Sequence, residues 1–130
     1  MFISLETLEH LNEEDLEMYL ISLKALLVPD SSILVTVPNE VGLLFVVKTI
    51  LKKLLYNNSE GYTFREAICQ TFGKNKYVKR NQHKGFHWRD IQTKLSMVFE
   101  CEVKAIGIHF PFLPTWFSPS IGLVGKLQKR

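Results

Sequence analysis

Ile33-Leu34-Val35-Thr36-Val37 constrains this chain more than any other stretch. Four of its five residues are β-branched and its apolarity is nearly unbroken, which fits a strand covered on both faces rather than one with a wet side. Pro38-Asn39 ends it. Ahead of it, Asn12 followed by Glu13, Glu14 and Asp15 is a helix start: a capping side chain accepts from open backbone N–H groups, and acids favour the positive dipole end. Leu16, Tyr19, Leu20, Leu23 and Leu27 then recur at helical spacing, and the helix stops before Pro29. Phe2-Ile3-Ser4-Leu5 reads as a further short buried strand. Strand, helix, strand is one βαβ unit, so the expected class is α/β with a parallel pair and a right-handed crossover.

The rest of the chain extends this plan. A second helix is expected from Glu40 to Tyr56, packed on the sheet or serving as a lid. A short one follows from Thr63 to Phe72, stopped by Gly73. Lys74 to Lys84 is a basic connector, and Trp88 to Phe99 has helical period again. Strands are expected near 101–110 and 121–127, joined by the proline-rich segment Pro111 to Pro119. The last strand is expected antiparallel, at the far end of the sheet. The 130 residues suffice for one domain. Within it, 1–56 is a βαβα unit, 57–85 a basic helical connector, and 86–130 a terminal helix and β-hairpin.

Charge is split along the chain. Residues 1–47 carry eight acids against one base, Lys24, and the remainder carries fifteen Lys and Arg against five acids. An acidic end and a basic face follow, the latter suited to phosphates, RNA or an anionic membrane surface. Two cysteines build no disulfide framework and point to a reducing, cytoplasmic setting. No basic region precedes the first apolar run, so no secretory signal is expected. Lys48, Lys52 and Lys53 interrupt the apolar run that starts at Val41, and Pro111, Pro114 and Pro119 break the uncharged stretch after Ala105, so no transmembrane helix is expected either.

Three segments carry candidate chemistry. In Glu6-Thr7-Leu8-Glu9-His10, a helical turn would set two carboxylates and an imidazole on one face, able to hold a divalent metal or to orient a general base. The structural alternative is that Glu9 pairs with a neighbour while His10 packs at the start of the turn. His83-Lys84-Gly85-Phe86-His87-Trp88 places two imidazoles and two rings before a helix, where they either contact a ligand or lock the loop onto the core. The helix from Val41 to Leu55, with its lysines, either covers other elements or lies on an anionic bilayer.

Together, Phe2 to Leu11, Leu26 to Glu40 and His83 to Ile91 resemble the C-terminal half of a class I S-adenosylmethionine-dependent methyltransferase. The closest group includes the ubiquinone-biosynthesis O-methyltransferases. In that family an E-x-x-E-H element follows the fourth strand beside the methyl-transfer site, and a Pro-Asn after the fifth strand lines the substrate side. The resemblance implies Glu6, Glu9 and His10 as catalytic residues and Ser4 and Leu5 beside the cofactor. It implies Asn39, His83 and His87 at the acceptor, methylated on oxygen or nitrogen. Some relatives, the small-RNA 2′-O-methyltransferases, use such an element with a downstream histidine to bind a divalent metal, which would make Glu6, Glu9 and His10 metal ligands.

The family's glycine-rich cofactor loop has no counterpart: the glycines stand at 42, 61, 73, 85, 107, 122 and 125, with no G-x-G-x-x-G. The resemblance therefore implies half of a Rossmann-like methyltransferase sheet, a truncated or split enzyme inactive alone. The alternatives are a non-catalytic interaction module of the same descent and half of a metal-dependent RNA methyltransferase. In the full sheet the first strand here would be central. Alone it becomes an apolar edge that recruits a second copy or a complementing N-terminal chain.

Overall fold

The computed structural model describes residues 1–56, 62–74, 77–79 and 86–127. Its elements are β1 (Phe2–Leu5), α1 (Glu13–Leu26), β2 (Ser32–Pro38), α2 (Leu43–Tyr56), α3 (Phe64–Thr71), α4 (Trp88–Phe99), β3 (Val103–Gly107) and β4 (Ser120–Lys126). Short 3₁₀ turns add Leu8–His10 and Thr115–Phe117. The class is α/β, and the four strands form one mixed sheet in the order β1-β2-β4-β3. β1 and β2 are parallel, Phe2 opposite Ile33 and Leu5 opposite Thr36, while β4 runs antiparallel to both β2 and β3.

Local chemistry places the helices. The Asn12 side-chain oxygen accepts from the Asp15 N–H at 2.8 Å and opens α1 as its acids require. A capping box opens α3: the Thr63 hydroxyl oxygen accepts from Glu66 N–H, and Glu66 accepts from Thr63 N–H. Gly73, at φ +68°, follows the end of α3.

The last strand does not lie at the far end of the sheet. β4 sits between β2 and β3, and β3 takes the outer position. β4 is thus hydrogen-bonded to a strand on each side, and its core-facing Ile121 and Leu123 are fully enclosed between β2 and β3. β3 is also shorter than the alternation suggests: a side chain at Gly107 would meet Ser118 Cβ at 2.9 Å, and the chain leaves the ladder there toward Pro111.

Strand alternation sorts the sheet into two unlike faces. One carries Ile33, Val35, Val37, Val103, Ile121 and Leu123, all buried against Leu16 and Leu20 of α1 and Ile91, Leu95 and Phe99 of α4. Ion pairs Lys94–Glu13 and Lys24–Glu100 join the same elements at the surface. The other face carries Ile3, Leu5, Ile106 and Val124, each more than a third exposed. β2 itself is largely covered on both sides, as expected from its sequence: on this second face Thr36 is buried and Leu34 half-buried, and the exposure falls on the strands around it. α2 does not supply the cover, since its main neighbours are α3 and the Thr115–Phe117 turn. Among the described residues no helix is long and apolar enough to cross a membrane.

Candidate functional site

In an open α/β sheet, ligands bind beyond the carboxyl ends of the parallel strands. Here that rim is built from the exit of β1, Asn39 to Gly42 after β2, the start of α4, and the segment from Thr115 to Ser118.

The exit of β1 departs from the expected helical turn. Glu6 lies before the 3₁₀ turn in a left-handed conformation, φ +45°, and its N–H donates to the Thr36 carbonyl at 2.9 Å. Its carboxylate accepts from Ser120 Oγ at 3.0 Å. Glu9 is 3% exposed inside the turn, with Oε1 3.8 Å from Nε2 of the largely exposed His10. A 3₁₀ turn starting at Leu8 cannot set residues 6, 9 and 10 on one face, so the three groups do not converge. Among the described residues no group of three or more His, Cys, Asp or Glu is placed to hold a metal ion. Ser4 is buried on the helix-covered face and Leu5 is exposed on the bare one.

Asn39 is a clamp rather than an open contact. It is 3% exposed, its N–H donates to the Pro119 carbonyl at 2.8 Å, and its side-chain amide donates to the Thr115 and Ser118 carbonyls, both at 2.9 Å. Two neighbours were not singled out from sequence. The buried Glu40 carboxylate accepts from Lys48, one turn into α2. Gln70, fully buried on α3, donates to the carbonyls of Glu40 at 2.8 Å and Phe86 at 2.9 Å, tying α3 to both the exit of β2 and the approach to α4. The sequence signal for Gln70 is faint: one amide in a capped helix, with both partners far along the chain.

Between these supports lies a cleft of about 410 Å³ lined by Gly42, Phe72, Gly73, His87, Arg89 and Trp116, among others. His87 caps α4, its Nδ1 accepting from the Arg89 N–H at 3.1 Å. A backbone N–H can only donate, so Nδ1 carries the lone pair and Nε2 the proton. Gly73 approaches that nitrogen so closely that a Cβ there would stand 3.0 Å from it. The Arg89 guanidinium lies 5.2 Å from the Trp88 ring centre. The rings behave as the structural alternative has it: Phe86 and Trp88 are buried in the core. His83 lies outside the described residues, as do Lys84 and Gly85.

Burial is the main cause that lowers the pKa of His87; Asp90 raises it and Arg89 lowers it further. The unfolded chain therefore takes up a proton near pH 6.5 that the folded chain resists, and stability present above that pH is lost as the pH falls through it. His87→Asn keeps a capping oxygen and removes the titration. Urea midpoints at pH 7.5 and 5.5 should fall less for His87→Asn than for the parent, and equal falls would assign the acid sensitivity elsewhere.

No family model, curated protein or solved structure matches the chain.

Proposed function

We propose that this chain is the acceptor-side half of an S-adenosylmethionine-dependent methyltransferase. The single observation that carries the reading is the sheet itself. A parallel pair joined through a helix, continued by an antiparallel final strand, stops at β1, whose Ile3 and Leu5 lie exposed on the second face. Parallel strands are normally covered on both faces, so the missing cover fits a missing half. Among the described residues, β1 pairs only with β2.

The cofactor does not fit this chain alone. With no glycine-rich loop, and with an exposed apolar Leu5 and a Ser120-bonded Glu6 at the exit of β1, the nucleoside has no cradle here. Residues outside these 130 would supply it. What this chain contributes is position: the cleft holds the acceptor, His87 presents an Nε2–H donor to an acceptor oxygen, and Asn39 and Gln70 fix the walls. Glu6, Glu9 and His10 would act at the transfer site only after the exit of β1 is reorganised by that missing part. Their separation favours a second reading, a non-catalytic interaction module of the same descent.

Calorimetric titration of S-adenosylhomocysteine distinguishes the two. The chain alone is expected to give no heat, and the chain mixed with the polypeptide encoded directly upstream is expected to bind at micromolar concentration. Micromolar binding by the chain alone would overturn the half-site reading. A stable complex that never binds the ligand would leave the interaction module.

A further inference from the structure

Two large rings stand in water beside the cleft at the rim of the sheet. Phe72, just past the end of α3, is 75% exposed and Trp116, on the Thr115–Phe117 turn, is 58% exposed, and both line the cleft. Neither sits on loose chain. The buried Asn39 amide donates to the carbonyls of residues 115 and 118, on either side of Trp116. Gly42, at φ +80°, lies so close that a Cβ there would stand 3.3 Å from that of Trp116. The buried Gln70 amide and the Gly42 N–H, which donates to the Thr71 carbonyl, anchor the two residues before Phe72. Buried hydrogen bonds thus fix two rings that the fold leaves uncovered, which preorganises a platform for a flat ligand.

The polar side of the cleft consists of donors. His87 presents Nε2–H, Arg89 presents its guanidinium, and no acid is among the lining residues. The contact of Arg89 with the Trp88 ring needs no hydrogen-bond acceptor, and among the described residues no carboxylate is ion-paired to it. Asp90, the next residue, acts on His87 from outside the lining. Exposed Lys74 directly follows the lining residue Gly73.

We propose that this cleft binds single-stranded nucleic acid, with bases stacked on Trp116 and Phe72 and a backbone phosphate held by Arg89 and the His87 Nε2–H. The rings select unpaired bases, because a duplex keeps its base faces stacked on one another and offers none to a side chain. The donors select an anion, and a guanidinium beside an imidazole N–H suits a phosphate with several acceptor oxygens. Charge beyond the cleft selects a strand over a lone aromatic acid. Residues 48–130 carry fifteen Lys and Arg against five acids, and each further phosphate of a polymer adds an attraction that a single carboxylate lacks. A volume of about 410 Å³ is that of a small-molecule pocket, so one nucleotide unit enters and the strand continues outside. The proposal rests on the reading of this cleft as the acceptor site and names the acceptor class. The binding itself needs neither the cofactor nor the missing strands.

The test is fluorescence anisotropy of labelled uridine and deoxythymidine octamers titrated with the full chain, without cofactor, over a range of salt. Binding is expected with a Kd on the order of 10⁻⁵ M at low salt. Trp116→Leu, which removes the ring and keeps an aliphatic side chain, should weaken it about tenfold with an unchanged circular dichroism spectrum, since the ring is exposed. Arg89→Gln should also weaken it about tenfold and lower the slope of log K against log salt by about 0.7, the share of one phosphate on a single strand. Whichever octamer binds more tightly identifies RNA or DNA as the strand, and equal affinity places recognition in base and phosphate alone. No binding at low salt, undiminished binding by Trp116→Leu, or equal affinity for a duplex of the same length would overturn the proposal. If that happens while the reconstituted pair binds S-adenosylhomocysteine, the methyltransferase reading stands with another acceptor. Octamer binding without any S-adenosylhomocysteine site would keep the strand and remove methyl transfer.

Discussion

Asn39→Asp is expected to lower the stability of the fold by about 3–5 kcal/mol at neutral pH, read from the urea midpoint. The substitution keeps shape and size and changes only what the buried end offers. The amide donates two hydrogen bonds to carbonyls of residues 115 and 118, more than seventy positions away. A carboxylate has no proton to give either one and would place negative charge against two carbonyl oxygens in a site 3% exposed. Asn39→Ala should cost less, about 2–3 kcal/mol, because it strands the carbonyls without adding a charge. An Asn39→Asp protein within 1 kcal/mol of the parent would show that the Thr115–Ser118 segment is held by other means.

Gln70→Met comes next. Its volume is close to that of glutamine, so cavity terms are small, and the loss is that of two donors. The Glu40 and Phe86 carbonyls would be left buried without them, at about 2–4 kcal/mol. The damage should be local. Gly42 N–H donates to the Thr71 carbonyl at the end of α3, and its hydrogen exchange should accelerate together with that of α3, while the β2 and β4 amides keep their protection. Uniform acceleration through the sheet would instead make Gln70 part of the global core.

Much of this architecture was legible before any coordinates. The Asn12 cap, the Gly73 stop after the short helix that follows Thr63, the leucine spacing of α1, the helix beginning at Trp88 and the β-branched run of β2 are local signals, and each element forms where its signal lies. Side chains within four residues of one another carry that information, as capping and periodicity do. The site was less legible. The resemblance assigned Asn39 to the acceptor, and the structure spends its amide on the protein's own loops. Glu6, Glu9 and His10 have helical spacing, but the chain exits β1 through a left-handed residue and a 3₁₀ turn, which the spacing cannot reveal.

Helix and strand identity thus came from near neighbours along the chain, where steric preference and backbone hydrogen bonding act over a few residues. The position of β4 inside the sheet, the partly exposed second face and the convergence of Gln70, His87 and Trp116 on one rim came from contacts between distant segments. Those depend on how much apolar area each arrangement removes from water, a property of the assembled sheet and helices and of no single stretch of residues.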